Sequence, residues 1–151
     1  MPRVARLLVV ACLLAAAAGC GGKSEAEKEA ESQAKSGEGT ITCTGDALAG
    51  DSGLPAGFPA LDGVTFVKAK DSGPTRVVDG YSDESLEGLY DEYKDRFAEE
   101  QYKVLFDEIE KDRGDSEVSY TSKDGKTTGI VALRASCDNG NVSIHITARP
   151  A

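Results

Sequence analysis

Two dipeptides in the last third of the chain, Asp124-Gly125 and Asn139-Gly140, restrict its fold more than any other feature. Both are strong two-residue hairpin signals, because the central positions of such turns need positive φ, which Asp, Asn and Gly tolerate. Pairing about Asn139-Gly140 sets Ala135 opposite Ile144, Leu133 opposite Ile146 and Val131 opposite Ala148. Pairing about Asp124-Gly125 sets Val118 opposite Val131 and Tyr120 opposite Gly129. All of these residues share one face of the strands, with Ser143, His145 and Thr147 on the other. Strand side chains alternate with a period of two, so two independently chosen turns that agree on one apolar face predict a meander with a single buried side. Tyr120 opposite Gly129 fits an aromatic ring covering a glycine gap.

A helix precedes the meander. Leu86, Leu89, Tyr90, Tyr93 and Phe97 recur at helical spacing, with Asp91, Glu92, Asp95 and Glu99 opposite, which predicts an amphipathic helix over about 83–100. Ser82 or Asp83 can cap its N-terminus, where Asp83, Glu84 and Glu87 suit the positive end of the macrodipole. Earlier, Val64–Val67 and Arg76–Val78 read as two strands about the turn Asp71-Ser72-Gly73-Pro74. Gly45–Gly63, with Pro55, Pro59 and repeated glycines, reads as a loop that tucks Phe58 and Leu61 into the core. Val104–Ile109 reads as a strand of unresolved facing, since Val104-Leu105-Phe106 is apolar on both sides. The order is ββαββββ, and the expected class is α+β: an antiparallel sheet of about five to six strands packed on one amphipathic helix.

The first twenty residues have a different logic. Arg3 and Arg6 precede the uncharged apolar run Leu7–Ala18, which is shorter than the roughly 20 residues a membrane span needs. A positive start, a short apolar run and small residues before a cut site form a secretory signal. Ala17-Ala18-Gly19-Cys20 resembles the lipobox of bacterial prolipoproteins, with Ala17 where Leu is commoner. The resemblance implies that the thiol of Cys20 takes a diacylglyceryl group and that a peptidase cuts before it. Residues 1–19 are then signal peptide. Each buried CH₂ contributes about 0.8 kcal/mol, so two or three acyl chains would hold the protein stably on a membrane.

Residues 20–39 follow as the lipidated cysteine and a tether. Gly21–Gly39 contains no Val, Ile, Leu or aromatic residue and cannot bury enough apolar surface to order itself. As a flexible coil it would span roughly 25 Å. Residues 40–151 are left as one globular domain. In the oxidising space outside the cytoplasm, Cys43 and Cys137 are expected to pair, since Cys12 leaves with the leader and Cys20 carries lipid. Such a cross-link contributes about 4 kcal/mol in the chain-entropy model.

The formal charge of the full chain is −9, and loss of the leader removes two arginines. Phosphate binding needs clustered Lys and Arg, so nucleic acid is not an expected partner. No GxSxG, HExxH or phosphate-cradling glycine loop is present. His145, the one histidine, is expected on the exposed face. In the acidic run Asp107–Glu117, Asp112, Gly114 and Asp115 do not fall in the calcium-loop pattern. The expectation is therefore no catalytic residue, no metal and no cofactor. It describes a membrane-anchored extracytoplasmic lipoprotein that is not an enzyme and binds an envelope protein or the cell wall. The alternative is a carrier holding a small apolar ligand between helix and sheet, with an enzyme of unrecognised type behind both.

Overall fold

The structure is a computed structural model that describes residues 40–49 and 53–151. Six strands form one antiparallel sheet: β1 Val64–Ser72, β2 Thr75–Ser82, β3 Tyr102–Glu110, β4 Asp115–Ser122, β5 Thr127–Arg134 and β6 Val142–Pro150. Helix α1, Leu86–Glu99, lies between β2 and β3 in the chain. The lateral order β1-β2-β6-β5-β4-β3 puts the last strand in the middle and leaves β1 and β3 as edges. The expected class, α+β in the order ββαββββ, is the observed one.

The helix packs over β3, β4 and β5. Its stripe is the expected one, with Leu86, Leu89, Tyr90, Tyr93 and Phe97 all buried. Its start is not. The N-cap is Ser85, whose hydroxyl accepts from Gly88 N at 3.0 Å, and neither Ser82 nor Asp83 takes that place. Ser82 is the last residue of β2, and its hydroxyl accepts from Glu84 N at 3.1 Å. Under the helix, the Phe97 ring stacks on Tyr120 with centroids 4.8 Å apart, and Tyr102 meets Tyr120 edge-on at 5.4 Å. Phe58 enters from the loop before β1 and sets its edge against Phe97, Tyr102 and Tyr120 at 5.5, 5.7 and 5.4 Å. Such pairs contribute about 0.5–1.5 kcal/mol beyond their area burial.

The register about Asp124-Gly125 is as expected, with Val118 opposite Val131 and Tyr120 opposite Gly129. Tyr120 crosses β5 at that glycine, and its hydroxyl donates to the Thr147 carbonyl on β6 at 2.8 Å. A Cβ at position 129 would lie 1.9 Å from that carbonyl and 2.6 Å from the Tyr120 oxygen, so only glycine leaves the path open.

The register about Asn139-Gly140 is two residues away from the expected one. Leu133 pairs with Ile144, Val131 with Ile146 and Gly129 with Ala148. Ala135 does not join the ladder; its N–H donates to the Gly114 carbonyl at 2.8 Å. The turn runs from Cys137 to Gly140, where Gly140 N donates to Cys137 O, and only the glycine has positive φ, at 85°. Asn139 works through its side chain instead, donating to Cys43 O at 3.2 Å and accepting from Asn141 N at 3.2 Å. The shift is even, so every side chain stays on its expected face.

The second face of the sheet corrects a further expectation. Ser143, His145 and Thr147 are buried, as are Val77, Asp79, Ile130 and Ala132 beside them. Part of the reason is the chain before β1. It crosses that face with Thr42 N donating to Ser143 Oγ at 2.8 Å and Gly45 O accepting from Tyr81 Oη at 3.2 Å. The rest of the reason on view is mutual: Asp79 and His145 stand directly opposite each other on β2 and β6 and cover one another.

Strand β3 explains its ambiguous sequence. The register slips between Val104 and Phe106, which pair with the consecutive residues Tyr120 and Ser119. Leu105 is the extra residue of a bulge, so the apolar run has no single facing. Val104 turns toward the helix side and Phe106 away from it.

Candidate functional site

Cys43 and Cys137 form the expected disulfide, with Cα atoms 5.6 Å apart and a sequence separation of 94. It fastens the segment beginning at residue 40 to the loop between β5 and β6, where Asn139 and Asn141 both donate to the Cys43 carbonyl. Cys20 and the tether, with the whole of 1–39, lie outside the described residues.

The structure brings together a pair that the sequence did not signal. His145 Nδ1 lies 2.6 Å from Asp79 Oδ1, and both side chains are buried. An aspartate that orients an imidazole is half of a general-base arrangement. The cross-strand neighbour of His145 on β5 is Ala132, and the nearby hydroxyl of Ser143 already accepts the Thr42 amide. The pair joins β2 to β6 across the sheet. No residue pattern advertised it, because the two partners lie 66 residues apart in sequence.

Three carboxylates of the acidic run Asp107–Glu117 are held in ion pairs. Asp107 Oδ2 is 2.7 Å from Lys94 Nζ and accepts the Tyr90 hydroxyl, which joins β3 to the helix. The Lys94 ammonium also lies 4.7 Å from the centre of the Tyr90 ring. Hydrogen bonds from Lys94 and then Tyr90 hold the Asp107 carboxyl below its ordinary range. The Lys94 ammonium is raised above its own range by the bonds to Asp107 and Tyr90. Glu110 pairs with Arg113 at 2.7 Å and Asp115 with Arg134 at 3.1 Å. Among the described residues no group of three or more His, Cys, Asp or Glu side chains is placed to hold a metal ion.

What remains open is the β3 edge. Leu105 and Phe106 are 62% and 53% exposed, and both sit on the terminal strand of the sheet. Beside them Glu108 stands directly opposite Glu117 on β4. A shallow concavity of about 250 Å³ lies there, bordered by Glu108, Glu117 and Arg134 among others. An exposed apolar pair on a sheet edge, beside two facing carboxylates, is a feature found at contact surfaces. Among the described residues no helix is long and apolar enough to cross a membrane. No protein-family model, curated protein or solved structure matches the chain.

Proposed function

We propose that this chain is a lipid-anchored lipoprotein of the bacterial envelope, held at Cys20 on the extracytoplasmic face, and that its domain binds another envelope protein without catalysing a reaction. The lipobox-like Ala17-Ala18-Gly19-Cys20 supports the anchor. The Cys43–Cys137 disulfide fits an oxidising compartment. The observation that carries the binding reading is the exposed Leu105-Phe106 pair on a free sheet edge. The carrier alternative has less support, because the space between helix and sheet is filled by Tyr93, Phe97, Tyr102, Tyr120 and Phe58.

A photo-crosslinking scan in living cells tests the reading. A benzophenone amino acid placed at Leu105 should trap one discrete protein partner, while the same probe at Asp91 on the outer face of α1 should not. A surface that yields no discrete adduct at either position would overturn it.

A further inference from the structure

The two edges of the sheet are treated differently. Along β1, the preceding chain lies against part of the edge: Leu48 N donates to the Phe66 carbonyl at 2.8 Å, and Gly45 lies against the Val67 side chain. Along β3, among the described residues, the ladder runs to β4 on one side only. A bare edge with exposed apolar side chains is a template for an added strand.

The side chains on that edge state what would fit. Beyond the bulge, Phe106 pairs with Ser119 and Glu108 with Glu117, so Phe106 and Glu108 share the face away from the helix. Asp107 points the other way and is held by Lys94 and Tyr90. Glu108 and Glu117 have no such partner among the ion pairs of the described residues. Like charges directly opposite each other across a ladder are destabilising. Burial raises the Glu117 carboxyl above its ordinary range, opposed by Arg134 and the Ser119 hydroxyl, while Glu108 adds a smaller push upward. A cation seated by the concavity beside these two carboxylates would relieve both effects. The negative charge of the chain favours encounter with such a partner.

We propose that β3 accepts an extended strand from a basic partner, paired antiparallel along Phe106–Glu110, with an apolar side chain beside Phe106 and a Lys or Arg beside Glu108. This rests on the protein-binding reading and gives it a partner chemistry. The bulge at Leu105 ends the regular ladder, so the added segment is short. In the partner's own direction the motif reads basic, any residue, apolar.

The test uses the mature lipoprotein in detergent micelles and a blocked peptide, Thr-Val-Lys-Thr-Val-Thr, as probe. Amide shifts should move along β3, and binding should saturate. Affinity should fall at least about tenfold for Glu108→Lys, for Phe106→Ser, and for a peptide with its Lys and second Val exchanged. Equal binding of the exchanged peptide, or indifference to Glu108→Lys, would mean unspecific attraction between charges and would overturn the proposal. So would shifts centred on any other element. If the peptide fails while the Leu105 probe still traps a partner in cells, strand addition is wrong and protein binding stands. If both fail, the underlying reading falls with it.

Discussion

His145→Ala should be among the costlier single changes in the domain. The imidazole is buried and lies 2.6 Å from Asp79, which is itself only 2% exposed. Removing it deletes a hydrogen bond involving a carboxylate, which contributes about 1.5–3 kcal/mol, and strands a buried acceptor. The expected loss is about 2–4 kcal/mol, similar to Leu133→Ala in the core, out of a total of about 5–15. Urea unfolding with an unchanged slope would measure it. Asp79→Ala and the double variant complete a cycle, and the double loss should fall short of the sum by at least about 1 kcal/mol. A His145→Ala cost below about 0.5 kcal/mol, or strict additivity with Asp79→Ala, would refute the reasoning. The first result would return His145 to an exposed face, and the second would deny its coupling to Asp79.

Other expectations follow from single contacts. The Tyr93 hydroxyl is fully buried with no hydrogen-bond partner among the described residues. Tyr93→Phe should therefore gain up to about 1 kcal/mol, while Tyr120→Phe, which loses the bond to Thr147, should lose about that much; chemical denaturation checks both. Thiol titration of the denatured envelope protein should find Cys43 and Cys137 blocked, and reduction should lower stability by about 4 kcal/mol in the chain-entropy model. The Asp107 carboxyl is lowered in the folded state, so its contribution is present above the unfolded carboxylate range near about 4 and is lost as pH falls through the folded value. In Asp107→Asn, acid titration of stability should accordingly be flatter than in the parent.

The parts of the fold that the sequence discloses are those governed by neighbours in the chain. The α1 stripe and the Asp124-Gly125 register follow from periodicity and turn chemistry acting over a few residues. The Asn139-Gly140 register needed knowledge of a partner 96 residues away, because the Asn139 side chain is committed to the Cys43 carbonyl. The end of β2 was hidden for a similar reason: Asp79, Gly80 and Ser82 have low strand propensity, and tertiary pairing with β6 overrides it. The exposed pair at Leu105-Phe106 was visible as an apolar run. Its meaning was not, since only the lateral strand order shows that β3 is an edge and that the bulge turns these side chains outward.

The most direct test of the account is the chemical state of the N-terminus in protein taken from membranes. Intact and peptide mass spectrometry should find a chain that begins at Cys20 and carries diacylglycerol on its thiol. Cys20→Ser should carry no acyl mass and should not be cut before residue 20. A wild-type chain with an unmodified Cys20, or a Cys20→Ser chain cut at the same bond and still partitioning with detergent, would contradict the anchor.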